Sequence, residues 1–158
     1  MPGFPRLRNS SPSSALTLAA ELAGFGASGV VCLGRGGEAP ARVIAAELGL
    51  PLIALDVRYP HSRLLERVPL CARPPLFLFK EILYRLGRPV PAPDAGRSLP
   101  APGLADRLLL VDDSASSGRT LEVALGVLAD HGWPRDRIRV AVLRCGARAR
   151  SLVDSVGG

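Results

Sequence analysis

A chain of 158 residues with 47% hydrophobic content is long enough for one domain that buries about two-thirds of the surface its unfolded form exposes. Its three cysteines, Cys32, Cys71 and Cys145, cannot all pair and lie in no C-x-x-C arrangement, so neither a disulfide framework nor a zinc pattern is written in it. No apolar run reaches the length of a membrane span and Glu21 interrupts the apolar stretch near the start, so the reading is a cytoplasmic protein with no membrane partner. The net charge of +6 is carried by 19 Arg and one Lys, Lys80. Guanidinium is the better bidentate partner for phosphate, and the balance favours small phosphorylated ligands over cationic ones.

Residues 1–12, rich in Pro, Ser and Arg, read as a loose lead-in to a single domain spanning 1–158. Ser13 or Ser14 is the expected cap of a helix through about Ala23, with Leu16, Leu18, Ala19 and Leu22 inward and Gly24 near its end. The run Gly29 to Leu33 is short, apolar and bounded by glycines, which suits a strand buried on both faces of a parallel sheet. After the turn Gly34-Arg35-Gly36-Gly37, helical spacing runs from Glu38 to Leu48 and Gly49 ends it; Pro51 to Asp56 is expected as a second buried strand. Strand, Gly-rich turn, helix and strand make a βαβ crossover.

From Val57 to Asp106 the pattern loosens, with Pro at 60, 69, 74, 75, 89, 91, 93, 100 and 102, and only Leu76 to Leu86 reads as a helix. A long irregular insertion of this kind is read as a flexible loop or lid. Order returns with Leu108 to Val111 as strand, Ser117 to Asp130 as helix and Ile138 to Leu143 as the last strand, so the fold class is α/β with a parallel sheet. Trp133, between Gly132 and Pro134, is placed at the end of the long helix, away from both Gly-rich loops.

The strand at Leu108 runs straight into Asp112 and Asp113, and these into Ser114-Ala115-Ser116-Ser117-Gly118-Arg119-Thr120. Small residues let the backbone approach a ligand closely, and a helix N-terminus behind them favours a phosphate. Paired carboxylates accept hydrogen bonds from vicinal hydroxyls or hold a divalent cation. In the upstream turn, two glycines after a buried strand let consecutive amides face one ligand, and Arg35 can neutralise a diphosphate.

This arrangement resembles the phosphoribosyl pyrophosphate motif of the type I phosphoribosyltransferases, matched from Leu108 to Thr120 except at Ala115, where a larger aliphatic residue is usual. The turn Gly34 to Gly37 is similar to the family's pyrophosphate loop, in the Arg-Gly-Gly form of xanthine phosphoribosyltransferase-like enzymes. The resemblance implies a twisted parallel sheet flanked by helices, with the long Pro-rich insertion in the flexible-loop position and a minimal C-terminal hood. It implies a transfer of the phosphoribosyl group from its pyrophosphate to a nitrogenous base. Asp112 and Asp113 would be the catalytic pair, taking the ribose hydroxyls directly or through Mg²⁺. Gly34, Arg35, Gly36 and Gly37 would hold pyrophosphate, and Ala115, Ser116, Ser117, Gly118, Arg119 and Thr120 would surround the 5′-phosphate and base. It also implies a cis peptide at Gly34-Arg35.

Members acting on 6-oxopurines carry Asp where this sequence has Ser116, and a Lys after the last strand where it has Arg144. The tail Ser151 to Gly158 resembles the start of the family's base-binding hood and holds no aromatic residue. The acceptor base is therefore open. A second reading stays beside the enzyme: a regulator that senses phosphoribosyl pyrophosphate or a nucleotide and binds RNA, as pyrimidine-gene regulators of this family do. Lys80 reads as the solvated residue of a packed helix and His61 as a surface-turn residue. The partners expected are phosphoribosyl pyrophosphate, a small base and a second copy in a homodimer, with RNA only under the second reading.

Overall fold

The computed structural model describes residues 12–58, 87–92 and 95–157. Its elements in chain order are α1 (Pro12–Leu22), β1 (Gly29–Leu33), α2 (Glu38–Leu48), β2 (Leu52–Leu55), β3 (Val57–Arg58), β4 (Val90–Pro91), β5 (Leu108–Ala115), α3 (Arg119–Asp130), β6 (Ile138–Cys145) and β7 (Ser155–Val156). Five strands form one parallel sheet in the order β2-β1-β5-β6-β7, and β3 pairs with β4 in a separate antiparallel ribbon. Helices cover both faces. Because side chains alternate along a strand, Val30, Cys32, Leu109, Val111, Ala141 and Leu143 face α1 and α2, whereas Val31, Leu33, Leu108, Leu110, Val140 and Val142 face α3.

The central strands behave as their composition requires. All five residues of β1 are buried, as are Leu108 to Asp112 of β5. Helix α2 has the expected limits, and Gly49 ends it at φ 64°, its N–H bonded to Ala45 and Ala46 carbonyls. Helix α1 starts at Pro12, which lacks the N–H that a first-turn residue leaves unbonded, so Ser13 and Ser14 lie inside the first turn instead of capping it. Its inner face is Ala15, Leu18, Ala19 and Leu22 at helical spacing, while Leu16, expected inside, is 46% exposed. A 3₁₀ turn, Ala23–Phe25, carries the chain on to Gly26, and that residue, in place of Gly24, takes the left-handed conformation.

Strand β2 departs from expectation. It stops at Leu55, and of its residues only Leu55 is buried. An apolar composition suits both a central and an edge strand; the order of the sheet places β2 at an edge. The Leu76 to Leu86 helix, Lys80 and His61 lie outside the described residues, as does the lead-in through Ser11. What is described of the 57–106 region is tied to the body. Val57 pairs with Pro91 and Arg58 with Val90, the Ala92 amide donates to the Asp56 carbonyl at 2.9 Å, and Leu99 packs on the core. Trp133 is buried against that same region and its indole N–H donates to the Pro100 carbonyl at 3.0 Å. The tail assigned to a hood forms a 3₁₀ turn, Ala147–Leu152, and then β7, which pairs with β6 at Ala141 and Val142. Among the described residues no helix is long and apolar enough to cross a membrane.

Candidate functional site

The sheet order makes the site. From β1 the chain crosses over α2 to β2 on one side, whereas β5 lies on the other side of β1 and leads over α3 to β6. The carboxyl ends of β1 and β5 are thus adjacent at a point where the winding reverses, the usual ligand crevice of an open α/β sheet. Both loops leaving those ends open a helix: α2 starts after Gly37 and α3 after Gly118, and neither has a side-chain cap. Two positive helix ends therefore serve one crevice, with the Arg119 amide donating to Ser117 Oγ at 3.5 Å.

The two loops touch through their glycines. A Cβ on Gly36 would lie 2.7 Å from Asp113 Oδ1, and one on Gly37 would lie 2.7 Å from the Val111 carbonyl and 2.8 Å from that of Leu33. At Gly37 the neighbours are backbone and only hydrogen fits, whereas at Gly36 the neighbour is the Asp113 carboxylate, which a side chain there would have to displace. Gly34 makes the turn itself at φ 59°. No cis peptide bond is present among the described residues, so Gly34-Arg35 is trans and the expected cis bond is absent; left-handed Gly34 reverses the chain instead.

Strand β5 continues two residues past the acids, because its ladder to β6 persists at Ser114–Arg144 and Ala115–Cys145. Asp112 and Asp113 consequently sit on the sheet itself, not on a loop. Asp112 is 8% exposed; burial, then the neighbouring charge and hydrogen bond of Asp113, push its carboxyl up to about 8. Its Oδ1 accepts the Asp113 N–H at 2.8 Å. Asp113 is more open: Ser114 Oγ donates to its Oδ1 at 3.3 Å, and Arg144 Nη2 lies 3.8 Å from its Oδ2.

Two adjacent carboxyls, one buried and one open, offer oxygen donors of the kind a divalent cation takes. No third His, Cys, Asp or Glu joins them in a metal-holding group among the described residues. A cation there would draw most of its shell from water and ligand oxygens, which is the habit of Mg²⁺ at phosphates.

Beyond the acids, the amides of Ser116, Ser117 and Gly118 have no backbone acceptor among the described residues. Gly118 takes φ 80°, a conformation that helix cannot continue, so α3 begins at Arg119 and not at Ser117. Ser116, Ser117 and Arg119 are exposed and Thr120 half-buried around that helix end. Ala115 is different: its methyl is buried in the core beneath α3, and its carbonyl accepts the Gly146 N–H at 2.7 Å. Gly146 was missed in the sequence, yet a Cβ on it would lie 2.6 Å from the Ser116 carbonyl. Likewise a Cβ on Gly118 would meet Leu152 at 2.8 Å. The C-terminal segment thus braces the 116–118 turn. A Gly two residues past an Arg at a strand end was the available signal, and it is a weak one.

A cavity of about 370 Å³ opens beside the Gly34 turn over edge strand β2, lined by Cys32, Arg35, Glu38, Arg42, Leu52 and Asp56 among others, with no residue of 112–120 at its border. Burial pushes the Cys32 thiol up, so Cys32 is not an activated nucleophile there.

The fold is shared with proteins of known structure. A purine phosphoribosyltransferase of Pyrococcus horikoshii superposes with a TM-score of 0.62 at 22% identity, over 91% of this chain and 78% of that one. The fold is that of the type I phosphoribosyltransferases. A xanthine-guanine-hypoxanthine phosphoribosyltransferase of Helicobacter pylori gives 0.57 at 17% identity, over 91% of this chain and 76% of that one. APRTase of Giardia lamblia, complexed with 9-deazaadenine, gives 0.58 at 18%, over 87% and 68%. No protein-family model matches the sequence, and no curated protein does.

Proposed function

We propose that the protein is a Mg²⁺-dependent phosphoribosyltransferase that moves the phosphoribosyl group of phosphoribosyl pyrophosphate to a nitrogenous base and releases pyrophosphate. The observation that supports this most is the contact of the two loops: Gly36 and Gly37 abut Asp113 and the Asp112 backbone. A diphosphate on one loop and a sugar phosphate on the other are then held by a single crevice. The resemblance of both loops to the family's motifs, in the family's order, points the same way.

In this reading the Ser116 to Gly118 amides and the α3 N-terminus take the 5′-phosphate, and Asp112 and Asp113 take the ribose hydroxyls. The Gly34 to Gly37 turn, with Arg35 and the α2 N-terminus, receives the pyrophosphate. Mg²⁺, when bound at the acids, supplies charge neutralisation for the leaving diphosphate. The bond from the anomeric carbon to pyrophosphate breaks and a bond to the base nitrogen forms; the nitrogen's proton passes to solvent, since Ser116 cannot accept it near neutral pH. Positioning and charge stabilisation carry the rate.

The test is pyrophosphate release from phosphoribosyl pyrophosphate and Mg²⁺ with a panel of purines, pyrimidines and smaller aromatic bases. Turnover on one of them is the expected result. Tight binding of the diphosphate sugar with no turnover on any base would make the protein a sensor, and titration with RNA at several salt concentrations would then show whether it is a regulator of transcripts.

A further inference from the structure

Asp113 has neighbours at both oxygens. Oδ1 faces Ser114 Oγ at 3.3 Å and the Cα hydrogens of Gly36, and Oδ2 faces the Arg144 guanidinium at 3.8 Å. Arg144 is held there by the sheet and not by a loop: β6 continues to Cys145, Arg144 stands in register opposite Ser114, and Gly146 locks the following turn to the Ala115 carbonyl. The pair is partly open to water, with side chains 43% and 33% exposed. An ion pair of that kind is weak and exchangeable, and a doubly charged ion competes with a guanidinium for the same carboxylate oxygen.

We propose that Arg144 is the resident counter-ion of Asp113 in the ligand-free protein, and that a divalent cation reaching the acidic pair must displace it. Arg144 is therefore a positioning residue that sets how strongly the metal binds before the diphosphate sugar is present. Free metal is disfavoured in the empty site, and the metal-substrate complex is favoured over metal alone. This inference rests on reading Asp112 and Asp113 as the cation- and ribose-binding pair.

The experiment uses Mn²⁺ as a paramagnetic stand-in, titrated by electron paramagnetic resonance against the full chain with and without phosphoribosyl pyrophosphate. Arg144→Met keeps the aliphatic stem and removes the charge; without the sugar it binds Mn²⁺ roughly two- to fivefold more tightly than the natural protein, as loss of a half-exposed ion pair implies. Arg144→Ala gives the same shift, which separates charge from packing. Arg148→Ala removes a charge from the neighbouring 3₁₀ turn and moves the affinity less. Unchanged Mn²⁺ affinity in both Arg144 variants, or an equal gain in Arg148→Ala, overturns the proposal. If no protein binds Mn²⁺ even with the sugar present, the reading of the acidic pair fails first and takes this one with it.

Discussion

The two loops of the crevice are specified by opposite means. The Gly34 to Gly37 turn is defined by what it lacks: Gly37 lies against the Val111 and Leu33 carbonyls so closely that no side chain fits. The acidic motif is defined by what it carries: a buried carboxyl, an open one, and serines on a turn whose amides have no backbone acceptor among the described residues. One half is specified by sterics against the backbone, the other by charge on a rigid strand. Substitutions in the first half should therefore act on folding and shape, and those in the second on ligand binding and pH.

Four predictions test that division, from the largest effect down. Asp112→Asn combined with Asp113→Asn leaves the circular dichroism of the fold unchanged and lowers turnover by at least about 100-fold, the scale of losing preorganised charge stabilisation; near-normal turnover would detach the acids from the reaction. Gly37→Ala forces a methyl onto two strand carbonyls and costs about 1–3 kcal/mol, or roughly 2–10 °C in Tm. Gly36→Ala meets a movable carboxylate instead of backbone, so its stability loss is the smaller of the two while its loss of diphosphate-sugar affinity is not; equal Tm losses for both would erase the distinction.

The third prediction concerns pH. The folded protein keeps a proton on Asp112 that the unfolded chain gives up near 3.8. Its contribution to stability is then complete below about pH 4 and is lost as the pH rises through about 8. Denaturant titrations of the natural protein and Asp112→Asn across that window should diverge, the variant losing less stability as pH rises; parallel curves would show that burial does not control this group. Last and smallest, Ser114→Ala removes one half-buried hydrogen bond to Asp113 and changes stability by about 1 kcal/mol or less, read from the denaturation midpoint.

Much of the fold was legible because it depends on local rules. The buried run at β1, the limits of α2 at Glu38 and Gly49, and the placement of Trp133 follow from periodicity, a left-handed glycine and turn chemistry. What was not legible depends on neighbours. Leu52 and Ala54 look like core until the sheet order leaves β2 at an edge. Strand β5 ends at Ala115 and β6 at Cys145 because each extends the other's ladder, which neither sequence announces alone. Pro91 sits in the short ribbon with β3, a pairing that its ring would argue against in a longer sheet. The acidic motif and the Gly-rich turn were recognised separately; that Gly36 rests on Asp113, and Gly146 on Ser116, only the packed chain shows.

The ribbon of β3 and β4 has one further consequence. It pins Arg58 beside Val90 and Val57 beside Pro91, with the Ala92 amide bonded to Asp56, so the two residues that flank the 59–89 connection in sequence lie side by side. Doubling the length of such a loop adds only about 0.6 kcal/mol of closure entropy. The cost of holding Arg58 beside Val90 therefore depends only weakly on the number of residues between them, and the ribbon fixes both positions relative to the sheet that carries Asp112 and Asp113.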